Sequence, residues 1–308
     1  MGTHEFAAII ILFVFGYLAR SFRFKEIKRA VDLLNKFLIY SIAPLTIFVG
    51  VYSKASQVIF ALIGLCIIHA VLVMVLTFSI SVLASGHRNS LDLIYAMVIS
   101  MGIPNSGFLA IPLAIVVFGT YFNIIPYIVA ANVILPFVLL VLTISLKFER
   151  KPLLISMIPI PSLVSLVLAI LFKFLGIVVP EIIMSISNII VSNVSFVFFL
   201  ILGYKLASLL VGDFSKYVKW VTLGYIIKYV ASPMLMYILL MFTINRSRVI
   251  LEPQYIRGLL LQSFMPSALF NIVIGDIFKL ESKLISILMV LQTLTSIVIT
   301  LALFTFIL

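Results

Sequence analysis

Twelve residues, Met101-Gly102-Ile103-Pro104-Asn105-Ser106-Gly107-Phe108-Leu109-Ala110-Ile111-Pro112, constrain this chain most. They set two prolines, two glycines and an amide inside a segment otherwise long and apolar enough to cross a bilayer. In lipid, a helix that loses backbone hydrogen bonds persists only where protein, water or a ligand satisfies the freed N–H and C=O groups. A second break, Gln262-Ser263-Phe264-Met265-Pro266-Ser267, lies in the corresponding place of the other half of the chain. Paired interruptions of apolar segments point to the binding site of a secondary transporter.

The surroundings of the breaks exclude a soluble protein. Of 308 residues, 64% are hydrophobic and 10% charged, and the mean hydropathy is +1.33, so polar residues are too few to cover a water-facing surface. At roughly 30 residues per span plus loop, the length accommodates about ten helices and leaves no soluble domain. The net charge of +11 resides in short loops, where it orients spans rather than binding nucleic acid. A single cysteine, Cys66, rules out an intrachain disulfide or thiolate cluster. His4, His69 and His87 are scattered without metal-ligand spacing, no nucleophile stands beside a base, and no glycine loop cradles phosphate, so neither an enzyme nor a cofactor is expected.

Apolar segments fall at 6–20, 32–52, 57–85, 91–119, 122–146, 152–175, 180–209, 216–243, 253–278 and 282–308. We expect an all-α polytopic membrane protein of ten transmembrane helices, the first retained rather than removed as a signal peptide. Loops after odd-numbered spans carry most of the Lys and Arg, from Arg20, Arg23, Lys25, Lys28 and Arg29 through Lys279 and Lys283. The opposite loops carry few, such as Lys54, Lys173, Arg246 and Arg248. The positive-inside rule then sets both termini outside the cytoplasm. Five spans per half reverse the second half relative to the first, so residues 1–149 and 150–308 read as inverted repeats divided at Glu149-Arg150-Lys151-Pro152. Spans four and nine are the broken, crossing helices.

Half-helices that meet near the midplane point positive N-terminal ends at the crossing, where a carboxylate binds without a dedicated Arg. Pro104 breaks the helix, Asn105 and Ser106 add side-chain donors, and Gly107 lets the backbone approach closely. The competing reading is that Pro104 kinks a packed helix and Asn105 caps the half that follows. Around the second break, Pro266, Gln262, Ser267 and Asn271 complete a polar pocket or else bond backbone groups freed by the proline. Lys228, halfway along span eight, balances an anionic substrate or gates access, or else binds free carbonyls of a broken helix. Ser41, Pro44 and Asn132 are weaker candidates, since small polar residues in spans usually make interhelical contacts. Asp276 is expected to pair with Lys279 at an interface, and no acidic residue remains near the crossing to cage a metal ion.

Three stretches carry a family resemblance: Asn105 to Leu113 with Phe118-Gly119 behind it, Met265-Pro266-Ser267-Ala268, and Lys228-Tyr229-Val230-Ala231-Ser232-Pro233. With Ala43-Pro44 in span two, the chain resembles the auxin efflux carrier family over its whole length. The resemblance implies the fold shared with bile-acid sodium symporters. It also implies alternating access of an elevator-like or rocking kind, in which spans one, two, six and seven form a scaffold and the other six a transport unit. A small organic anion, such as a carboxylate or auxin-like acid, would be the substrate, membrane lipid the surroundings, and a homodimer is compatible with the family. Alternatives are a sodium- or proton-coupled organic-anion symporter and a non-transporting receptor that retains the fold.

Overall fold

The structure, a computed structural model, describes residues 3–21, 25–54, 56–86, 91–107, 109–136, 159–194, 196–208, 214–247 and 251–306. The expected divider at Glu149 to Pro152 lies outside the described residues. Helices run through α1 (Thr3–Ser21), α2 (Lys25–Phe37), α3 (Ala43–Lys54), α4 (Gln57–Ser85), α5 (Leu91–Gly102), α6 (Ala110–Phe118) and α7 (Ile125–Val129). They continue as α8 (Pro159–Phe174), α9 (Glu181–Val194), α10 (Val197–Ser208), α11 (Val218–Ile226), α12 (Ser232–Ser247), α13 (Pro253–Ser263), α14 (Phe270–Ile277) and α15 (Ser282–Phe306). Five helical runs, Glu26–Lys54, Gln57–Ser85, Glu181–Tyr204, Ser215–Arg246 and Ser282–Thr300, are each long and apolar enough to cross a membrane. Shorter apolar helices accompany them. The protein is an all-helical, polytopic membrane protein.

Three wide π-turns explain how proline is tolerated inside long helices. Leu38–Ile42, Ala130–Ile134 and Ile227–Ala231 are π-helical, and each ends two residues before a proline: Pro44, Pro136 and Pro233. A proline ring collides with the carbonyl four residues back. In all three places the residue before the proline donates its N–H to the carbonyl five residues back instead, Ala43 to Leu38, Leu135 to Ala130 and Ser232 to Ile227. The turn widens by one residue and the helix continues.

Hydropathy starts the second span at 32, but the helix begins at Lys25. Lys25, Lys28 and Arg29, expected in a loop, are helical because Ile27, Val31 and Leu38 recur at a helical period that averaging over a window hides. The expected Asp276–Lys279 ion pair does not form. Lys279 turns into the left-handed region, φ 53°, where α14 ends, and the ion pair among the described residues is Lys216–Glu281 at 3.9 Å. Gly119, φ 71°, ends α6 in the same backbone region, its N–H returning to the Ile115 carbonyl at 2.8 Å.

The chain divides into two compact units, Met1–Phe60 with Gly107–Leu210, and Ala61–Ser106 with Val211–Leu308. In the first, α1 lies against α10 at backbone contact. A Cβ on Gly16 would collide with the Leu200 carbonyl, and one on Gly203 with the Phe13 carbonyl. Below this seam, Ala19, Val31, Leu38 and Ile42 bury against Phe198, Ile201 and Tyr204. Gly203→Val should cost more than the about 1–3 kcal/mol of ordinary over-packing, because backbone meets backbone and no side chain can yield. Fluorescence-detected size exclusion after a heat step checks it; a variant as heat-resistant as the parent would refute the seam. The second unit centres on Val73, Met97, Met101, Tyr217, Val221, Leu284 and Leu288, and Tyr217 donates to Glu281 Oε1 at 2.6 Å.

Candidate functional site

Both breaks lie in the second unit as far as Ser106, and they are zipped together. Helix α5 stops at Gly102 and α13 at Ser263, and the segments beyond them form one antiparallel bridge, Pro104 to Ser267. The Asn105 N–H donates to the Pro266 carbonyl at 2.7 Å, and the Ala268 N–H to the Ile103 carbonyl at 3.1 Å. Each extended segment thus satisfies backbone groups that its own helix abandoned.

The carbonyls at the ends of α5 and α13 are answered by side chains. Asn271 Nδ2 donates to Ile99 O at 3.1 Å, Ile103 O at 2.9 Å and Ser267 Oγ at 3.0 Å. Lys228 Nζ, in the π-turn Ile227–Ala231, donates to Met101 O at 2.9 Å. A cation suits a helix C-terminus, where the dipole is negative. Lys228 is 2% exposed and forms no ion pair among the described residues, so its charge is buried without a carboxylate. On the α13 side, Ser232 Oγ donates to Ser263 O at 3.0 Å and Ser296 Oγ to Phe264 O at 2.7 Å.

Four residues that the sequence reading passed over complete this network. Gln292 Oε1 accepts from the Ser267 N–H at 3.3 Å, and Gln292 Nε2 donates to Gly224 O at 3.4 Å. Tyr229 OH donates to the Gln292 carbonyl at 2.7 Å and pairs with Ser296 Oγ at 2.9 Å. His69 Nε2 donates to the Ser232 carbonyl at 2.9 Å. The spacing of Gln292, Ser296 and Thr300 is a signal the sequence offered: one polar stripe on an apolar helix at intervals of four.

Gln262 is the exception. It is fully buried, 0% exposed, yet neither amide atom has a partner among the described residues. The Oδ1 of Asn271 and the Oγ of Ser100 also lack one. Buried amides ordinarily are hydrogen-bonded, so an unanswered one inside a polar neighbourhood marks a place where water or a ligand belongs.

The structure therefore brings together Pro104, Asn105, Ser106, Pro266, Ser267 and Asn271, with Lys228 joined through Met101. Gln262 lies in the last turn of α13, which stops at Ser263, so no continuous helix puts it on one face with Ser267 and Asn271, as their spacing suggested. Asn105 is not the cap of the following half, whose N-cap position is Leu109. In the first unit, Asn132 lies in the π-turn Ala130–Ile134, its Nδ2 3.4 Å from where a Cβ on Gly107 would stand. Ser41 lies in the π-turn Leu38–Ile42 but is exposed, while Pro44 is buried. All three polar span residues singled out, Ser41, Asn132 and Lys228, thus occupy π-turns, a geometry frequent at functional sites.

Residues 198–308 match the family model described as the Sodium Bile acid symporter family. The match takes in α11 to α15, and with them the second break and Lys228. It supports a place in the bile-acid symporter-like superfamily. That superfamily consists of membrane transporters rather than enzymes, and the match does not single out the auxin efflux carriers within it. No curated protein matches the chain. The match and the apolar helices point to an integral membrane protein.

Proposed function

We propose that the protein is a secondary carrier that moves a small organic anion by alternating access, with the anion bound at the paired break. The observation that carries this is the combination of a proline-broken crossing with a buried Lys228 ammonium and a buried Gln262 amide that find, among the described residues, no carboxylate and no hydrogen-bond partner respectively. A cation and amide donors in a site closed to bulk water suit a carboxylate. Asn105, Ser106, Ser267 and Asn271 supply the remaining polar atoms, and the positive N-terminal end of α14 adds to them. In this reading the ten spans are two inverted sets of five, the termini face away from the cytoplasm, and the six spans other than one, two, six and seven move the bound anion across the membrane. Auxin-like acids and short dicarboxylates are the substrates to test first.

The test is uptake of labelled indole acetate, malate and malonate into proteoliposomes by the parent, Asn105→Ala and Gln262→Ala. Uptake of one acid should fall at least about tenfold in Gln262→Ala, the loss of roughly one charge-assisted hydrogen bond. Uptake unchanged in both variants, or absent for every acid, would sink the proposal.

The family match favours a second reading, a sodium-coupled symporter. It predicts uptake that rises with an inward sodium gradient; a carrier whose charge is balanced by Lys228 should be indifferent to it. Ligand binding without flux would instead indicate a receptor.

A further inference from the structure

The amphipathic helix α2 carries a basic face that the transport reading leaves unused. Its inward stripe, Ile27, Val31 and Leu38, packs with Ala19, Phe198 and Ile201. On the other side Lys28, Arg29, Asp32, Leu33 and Lys36 line an open cleft of about 450 Å³. Lys28, Arg29 and Lys36 are exposed, and none of the three has a hydrogen bond or ion pair with the described residues. Asp32 offsets one of these charges and leaves the cleft basic.

The depth of this cleft follows from the helix itself. The run Glu26–Lys54 has 29 residues, about 43 Å at the helical rise, against about 30 Å of hydrocarbon. Between Lys36 and Lys54 no charged residue occurs, a stretch of about 26 Å. The two lysines therefore fence the hydrocarbon, and the turns before Lys36 stand in the headgroup layer. Phe37, 48% exposed, lies on the acyl-chain side of Lys36, and Leu33, 69% exposed, lines the cleft beside the basic residues. A basic stripe edged by apolar side chains at this depth is the pattern of a helix that engages an acidic membrane surface.

We propose that the α2 cleft is a binding site for the headgroup of an anionic phospholipid. The phosphate would lie among Lys28, Arg29 and Lys36, and the acyl chains would run past Leu33 and Phe37. Free phosphate would use the same cations but gain nothing from the two apolar residues.

The full-length protein in phosphatidylcholine nanodiscs, with and without phosphatidylglycerol, decides this, read by melting temperature and by mass spectrometry of retained lipid. Phosphatidylglycerol should raise the melting temperature and be retained in preference to phosphatidylcholine. A Lys28→Gln, Arg29→Gln, Lys36→Gln triple variant should lose both effects and melt with the parent in pure phosphatidylcholine. If the triple variant does not fold, Arg29→Gln alone should cut retention several-fold. The proposal is overturned if the variants respond to phosphatidylglycerol as the parent does, or if inorganic phosphate in detergent stabilises the parent equally. It is also overturned if Leu33→Cys crosslinks between two copies of the chain, which would assign the face to a dimer. None of these readouts depends on transport.

Discussion

Lys228→Met should yield a carrier that folds but no longer takes up anions. Methionine has a similar volume, and replacing a buried charge by an apolar group removes its desolvation cost, which offsets the lost bond to Met101 O. The melting temperature in detergent should therefore change by the equivalent of about 1 kcal/mol or less. Uptake should fall far more, because a charged hydrogen-bond donor contributes about 1.5–3 kcal/mol to an anion it touches, a factor of about ten to a hundred. Uptake per folded molecule that stays at the parental level would show that Lys228 serves only to cap α5.

Asn271→Leu should have the opposite profile, a large loss of stability. One side chain of α14 ties down the Ile99 carbonyl of α5, the Ile103 carbonyl just beyond it and the hydroxyl of Ser267. Leucine fills the volume but leaves the buried Ser267 Oγ without its donor and removes the side-chain bond to Ile99 O and Ile103 O, which keep the N–H groups of Ile103 and Ala268. An unanswered buried hydroxyl costs about 1–3 kcal/mol and each lost bond about 0.5–1.5 kcal/mol, so a total of roughly 3 kcal/mol is expected. Ser267→Ala, which removes one acceptor from the same cluster, should cost under about 1 kcal/mol. Thermal unfolding of the two variants side by side checks the pair; equal melting temperatures would mean that the crossing is held by its backbone bonds alone.

The two breaks were legible because proline sits there with glycine, serine or an amide beside it: the helices end at Gly102, two residues before Pro104, and at Ser263, three before Pro266. The pairing across them was not, since nothing in the sequence near Asn271 says that its amide reaches Ile99, 172 residues away. Lys228 was visible as a charge at depth, yet whether it faced an anion or a carbonyl depended on where Met101 came to lie. Gln292 and Ser296 escaped notice, and His69 was weighed only as a metal ligand, for a different reason. A single polar residue on an apolar helix is the ordinary currency of interhelical contact, and only their convergence on one break sets them apart. Helix α2 was shortened because a mixed basic and apolar face cancels in a hydropathy average.

The π-turns bear on how these helices can be edited. Each holds one residue more than an α-helix of the same span would need, and helical backbone runs on both sides of it. Deleting one residue from ordinary helix would swing everything beyond it by about 100° and turn its inward side chains toward lipid. Deleting Val230, within Ile227–Ala231, would instead close the wide turn and leave α12 facing as before once Pro233, whose ring would then meet the carbonyl four residues back, is replaced by Ala. The extra residue is thus a reading-frame allowance built into the helix, and what it holds in place is the one charged side chain of that turn, Lys228.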